Sequence, residues 1–149
     1  MAGTYSKLLF HLVFSTKNRI PFISAKWEEE LYQYIGGILR NEDGVLIEIG
    51  GTEDHLHILV QLKPTHLLAN LVRTIKAFSS KWVNEEKLKL RKFGWQEGYS
   101  AFTVSESQAD RVVAYIRSQK EHHKKNDFKS EFIALLKKHA VEYKEEYLW

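Results

Sequence analysis

The hydrophobic patterning of this chain predicts an α+β fold: a four-stranded antiparallel sheet, two crossover helices and added C-terminal helices. Three observations carry the prediction. Residues 7–15 and 55–62 alternate with a period of two, the signature of half-buried strands. Residues 65–86 place Leu67, Leu68, Leu71, Ile75, Phe78 and Trp82 at helical spacing. The order of such segments, β-α-β-β-α-β-α, is that of a ferredoxin-like (RRM-like) split βαβ sandwich.

Each element has its own justification. Leu8, Phe10, Leu12 and Phe14 share one face of the first strand, and Leu9, His11 and Val13 the other. Thr16 to Pro21 is a polar, basic loop. Ser24 is a candidate N-cap for a helix running to about Arg40, with Trp27 in its first turn. Asn41 to Gly44 turns into a second strand, Val45 to Ile49. The loop Gly50-Gly51-Thr52-Glu53-Asp54 reverses the chain into a third strand, His55 to Leu62. Pro64 or Thr65 opens the second helix, which ends near Glu86. A Gly- and aromatic-rich connection, 93–99, leads to a fourth strand, Ser100 to Val104. Ser105, with Gln108 three positions on, predicts a capping box and a helix through about His123. A last helix spans Phe128 to about His139. In this topology strands one and three are central, and both crossover helices cover one sheet face. The other face is left for a site.

The chain has 149 residues, 44% of them hydrophobic, which suits one domain over 1–149. It has no cysteine, which excludes a disulfide scaffold and a thiolate zinc site. No signal peptide and no apolar stretch of ~18–20 residues is present, so a cytoplasmic protein with no membrane partner is expected. The net charge is only +3, but it is segregated: Arg73 to Lys92 carries seven Lys/Arg against two Glu. Such segregation suits a polyanionic partner.

The triplet His55-Leu56-His57 is the first chemical signal. Two histidines two positions apart project from the same strand face and can grip one metal ion, while Leu56, Ile58 and Val60 point into a core. On the helix beginning near Ser105, Tyr115, Gln119 and His122 share a stripe distinct from Ala109, Val112, Val113 and Ile116. Packed on the open sheet face, that helix would bring Tyr115 and Gln119 to the histidines. Trp27, Trp82, Trp95 and Trp149 read as core candidates, with Trp95, in a loop, also placed to stack a base. Tyr99 and Tyr143 read as packing residues, and His11 as a core histidine bordering the site.

The stretches HLVFSTKNRIPFI at 11–23, GGTEDHLHILV at 50–60 and GYSAFTVSESQADRVVAYIRSQKEHH at 98–123 resemble one family. It is the single-tyrosine transposases of the HUH (His-hydrophobe-His) endonuclease superfamily, including the REP-associated tyrosine transposases. The resemblance implies that His55 and His57 are metal ligands, Gln119 the third ligand and Tyr115 the nucleophile, carried on a C-terminal helix. It implies Mg²⁺ or Mn²⁺ as cofactor, a homodimer, and single-stranded DNA with subterminal hairpins as partner. Cleavage would leave a 5′-phosphotyrosine and a free 3′-hydroxyl, and the stored ester would permit rejoining without a nucleotide cofactor. No Walker-type loop is found, in keeping with that. Lys17, Arg19, Arg73, Lys76, Lys81, Arg117 and Lys120 are the candidate DNA contacts. A domesticated hairpin-binding protein, or a nuclease without transposition, would use the same fold. A two-histidine phosphodiesterase would need a second His-x-Ser/Thr motif, and a metallo-β-lactamase-type site a following Asp-His. Neither is present.

Overall fold

The computed structural model describes residues 3–89 and 92–148; Trp149, one of the core candidates, lies outside them. Four strands, β1 (Leu8–Ser15), β2 (Val45–Gly51), β3 (His55–Leu62) and β4 (Ser100–Val104), form one antiparallel sheet. Their order is β2-β3-β1-β4, so β1 and β3 are central, as the split βαβ order requires. In the β1–β3 ladder Val13 faces His57 and Ser15 faces His55.

The pleat divides the sheet residues as their alternation demands. Leu12, Phe14, Leu56, Ile58 and Val60 lie in the main core against α1 (Glu28–Asn41) and α2 (Leu68–Glu86). Leu9, His11, Val13, His55, His57 and Leu59 belong to the other face. That face is not left open. It is covered by α3 (Ala109–Arg117), α4 (Gln119–His122) and α5 (Phe128–Lys138). Among the described residues no helix is long and apolar enough to cross a membrane.

Several boundaries differ from expectation for local reasons. Regular helix α1 begins at Glu28, because Ser24 closes a preceding turn: its Oγ accepts from the Lys26 N–H and its carbonyl from those of Trp27 and Glu28. Strand β2 continues through Gly50 and Gly51 rather than ending at Ile49. A Cβ on Gly51 would stand 2.1 Å from the His55 carbonyl oxygen, so only glycine permits this hairpin. Helix α2 starts at Leu68, after a turn in which His66 N–H donates to the Lys63 carbonyl.

The helix expected over 105–123 is in fact three pieces. A 3₁₀ turn spans Glu106–Gln108, α3 follows, and Ser118 (φ −92°, ψ 12°) separates α3 from α4. The capping box does not form, since the Ser105 hydroxyl meets that of Ser107. Helix α5 has a side-chain cap instead, with Asp127 Oδ1 accepting from the Ser130 N–H at 2.8 Å. Trp95 is not a stacking platform. It is buried against Phe14, and its indole N–H donates to the Ser79 hydroxyl at 2.9 Å.

Candidate active site

Strand β3 delivers His55 and His57 side by side to the face under α3–α5, and both side chains are fully buried. Each ring is held from behind. His55 donates from Nδ1 to Asp54 Oδ1 at 2.8 Å, with the Thr52 hydroxyl 3.0 Å from the same nitrogen. His57 Nδ1 lies 2.8 Å from Nε2 of His11 on the neighbouring strand. The Nε2 atoms are thereby turned toward the covering helices, as in histidines oriented for metal binding.

Helices α3 and α4 supply Tyr115 and Gln119. Gln119 is 1% exposed, and its Oε1 accepts from His55 Nε2 at 2.9 Å. The Tyr115 ring lies edge-on to both His57 and His11, with centroids 5.6 and 6.1 Å away. Close packing of α3 depends on Gly50: a Cβ there would stand 2.8 Å from the Ile116 carbonyl oxygen. The sequence-predicted set of His55, His57, Tyr115 and Gln119 thus comes together within one chain.

At the centre stands a residue that pattern reading passed over. Glu131 on α5 is 4% exposed. Its Oε1 accepts from His57 Nε2 at 3.0 Å and His123 Nε2 at 3.1 Å, and lies 3.4 Å from His55 Nε2. Its Oε2 accepts from the Tyr115 hydroxyl and, at 2.9 Å, from Gln119 Nε2. The available signal was a carboxylate inside an apolar stripe. Phe128, Phe132, Leu135 and Leu136 form the buried face of α5, and position 131 falls on that face. Phe128 also stacks on the His55 ring at 4.3 Å.

The electrostatics follow from this convergence. Burial opposes charge on His55, but hydrogen bonds to Asp54, Glu131 and Gln119 outweigh it and push the ring up to about 9. Burial keeps His57 below the ordinary histidine value despite Glu131. His11 falls to about 3, through burial and then the charge of His57. Glu131 is buried too, yet its hydrogen bonds from His55 and His57 hold it far below the carboxylate range. Burial, reinforced by the Glu131 charge, raises Tyr115 above an ordinary phenol. These shifts favour an ionised Glu131 carboxylate accepting from the Tyr115 phenol and from a protonated His55 ring.

The residue types fit a divalent ion. His55 Nε2, His57 Nε2 and a Glu131 oxygen lie within 4.8 Å of one another, and imidazole with oxygen donors suits Mn²⁺ and Mg²⁺. His122, His123 and Glu131 make a second such group on the same carboxylate. Beside Tyr115 lies a cleft of about 430 Å³, lined by His11, Thr103, Arg111, Lys138 and His139.

The candidate DNA contacts are scattered. Exposed Lys17 and partly buried Arg19 occupy a turn after β1, where Thr16 N–H donates to the Asp54 carbonyl, next to His55. Arg117 pairs with Glu48 at 2.8 Å and Lys120 with Glu28, both on the site's side. Arg73, Lys76 and Lys81 lie on α2, across the sheet from the histidines. Lys76 donates to the carbonyls of Gln96 and Gly98 at 2.8 and 2.6 Å, bracing the loop before β4. Tyr143 packs against the α5 cluster, whereas Tyr99 is exposed.

The chain is similar to known proteins in sequence and in fold. The chain is 25% identical over 122 residues to the ISDra2 transposase TnpA of Deinococcus radiodurans, covering 78% of this chain and 87% of that protein. Its fold matches a crystal structure from D. radiodurans R1, described as that of a transposase, with a TM-score of 0.63. Identity there is 22%, covering 80% of this chain and 95% of the other. It also matches a REP-associated tyrosine transposase bound to a REP hairpin, with a TM-score of 0.62 and 16% identity. That match covers 83% of this chain and 73% of the other. Residues 4–119 match the family described as "Transposase IS200 like". From the sheet that carries the histidines to the helices that carry Tyr115 and Gln119, the chain belongs to the IS200-like transposase family.

Proposed function

We propose that this protein cuts and rejoins single-stranded DNA at the ends of an insertion sequence, with Tyr115 as nucleophile and His55, His57 and Gln119 as metal ligands. The observation that supports the reading best is that the Tyr115 hydroxyl rests on a buried carboxylate that also touches all three of those residues.

In the reaction the Tyr115 oxygen bonds to phosphorus in line with the departing 3′ oxygen. The phenol proton leaves toward Glu131 Oε2, the atom that already accepts its hydrogen bond. The phosphorus–O3′ bond breaks, the 3′ oxygen takes up a proton, and a 5′-phosphotyrosine remains. A bound Mg²⁺ or Mn²⁺ would supply charge withdrawal from the phosphate and fix its orientation. His55 and His57 would present Nε2 to it, with Asp54 and His11 fixing the rings from behind. Rejoining is the same step reversed by another 3′-hydroxyl.

The cleft beside Tyr115, with Arg111 and Lys138 on its walls, is the entry proposed for the unpaired strand. Lys17, Arg19, Arg117 and Lys120 would hold adjacent phosphates, and Arg73, Lys76 and Lys81 a hairpin stem, by analogy with the hairpin-bound relative. The edge strands of the sheet, β2 and β4, are where pairing into a homodimer would occur.

The test is covalent capture. Labelled single-stranded end DNA and Mn²⁺ should give a protein–DNA adduct with wild type and none with Tyr115→Phe. An equal adduct from the variant would remove Tyr115 as nucleophile. Hairpin binding without any adduct would leave a binding protein.

A further inference from the structure

We infer that Glu131 of α5 is an additional, anionic ligand of the metal ion, so that α5 is part of the catalytic centre and not merely a cover over it. The inference rests on the metal reading above and extends it to a residue outside the family match, which ends at residue 119.

Charge is the first argument. Imidazole rings and the Gln119 amide bring no negative charge to a divalent ion, and His55, His57 and Gln119 are all buried. Burying a dication among neutral donors is costly. Glu131 places a carboxylate 3.0 Å from His57 Nε2 and 3.4 Å from His55 Nε2, the two atoms that would face the ion. Among the described residues its ion-pair partners are His55, His57, His122 and His123. A buried carboxylate surrounded by imidazoles, rather than paired with lysine or arginine, is a metal-site environment.

Donor type is the second argument. Two imidazoles alone favour softer ions, whereas a hard carboxylate oxygen moves the preference toward Mn²⁺ and Mg²⁺. Division of labour within the side chain is the third. Oε1 faces the histidines and Oε2 holds the Tyr115 hydroxyl and Gln119 Nε2. One carboxylate therefore sets the spacing between ion and nucleophile. The construction is local to α5: the Asp127 cap starts the helix, and Phe128 stacked on His55 fixes its rotation.

Mn²⁺ binding to the DNA-free protein, followed by electron paramagnetic resonance, tests this without reference to activity. Glu131→Gln keeps the shape of the side chain and should weaken binding ~10- to 100-fold, the scale of losing a metal-site partner. Unchanged or tighter binding would overturn the proposal, leaving Glu131 as a filler or a competitor. His57→Ala separates the two readings. If it binds Mn²⁺ as well as wild type, the histidine site itself is wrong. Anomalous scattering from Mn²⁺-soaked wild-type crystals needs no variant to fold. A peak within about 2–2.4 Å of Glu131 Oε1 and both Nε2 atoms is expected. A peak on His55 and His57 with Glu131 turned away, or one between His122 and His123, overturns the assignment.

Discussion

His11 lies beneath the histidine pair, 4% exposed, with its Nε2 on His57. Burial, then repulsion from His57, takes its pKa to about 3, so it stays neutral at neutral pH. In the unfolded chain the same ring titrates near ~6.5. Between those values the unfolded state binds a proton that the folded state refuses. The contribution of His11 is therefore complete above about pH 6.5 and is lost as pH falls toward 3. His11→Gln should flatten the decline in stability across that window, measured by urea unfolding of metal-free protein. A slope identical to wild type would mean that His11 does not govern it. His55 and His57 were legible in the sequence because a strand's period of two announces a shared face. Glu131 was not, because a lone carboxylate on a helix reads as a solvated position. Its partner His57 is 74 residues away, so only tertiary packing reveals the pair.

At the scale of elements, the fit of α3 onto β2 decides where Tyr115 stands. Gly50 is the contact point, and Gly50→Ala drives a methyl into the Ile116 carbonyl. An overpacked contact of this kind costs about 1–3 kcal/mol. Because Ile116 follows Tyr115, the displacement should slow adduct formation by more than the stability loss accounts for. Denaturant unfolding and single-turnover adduct assays on the same protein check this; a proportionate loss would make Gly50 purely structural. Strands β1 and β3 and helix α2 could be read from periodicity, since Leu12, Phe14, Leu56, Ile58, Leu71 and Ile75 face one core, although Leu67 and Phe78 of the same helical spacing are exposed. The break at Ser118 could not. Tyr115, Gln119 and His122 keep helical spacing across it, so the departure of Ser118 to φ −92°, ψ 12° leaves no mark in the pattern.

Over the whole molecule, the sheet separates two packing regions. The large core lies under α1 and α2, while α5 rests on a smaller cluster with Val13 and Phe102. Tyr115 meets the histidines of its own chain. A mixed dimer of Tyr115→Phe and His55→Ala subunits should therefore give no adduct once subunit exchange is confirmed. Restored cleavage would demand a site shared between subunits. Phosphate contacts by the segregated basic residues would make the affinity for DNA fall with salt. A titration against salt concentration should show a negative logarithmic slope, reduced by about one unit when a contacting lysine is removed.

The closed face over the histidines also sets a tempo. His55 and His57 are wholly enclosed, so a phosphate would reach them only when a covering helix yields. Because the α5 cluster is small and separate, that helix can lift while the main core stays folded. At saturating DNA, the expected outcome is a ceiling on adduct formation set by this breathing and not by phosphorus chemistry. Leu135→Ala, which loosens α5 away from Glu131, should raise that ceiling while lowering the melting temperature. Speed and stability would then be drawn from the same few side chains.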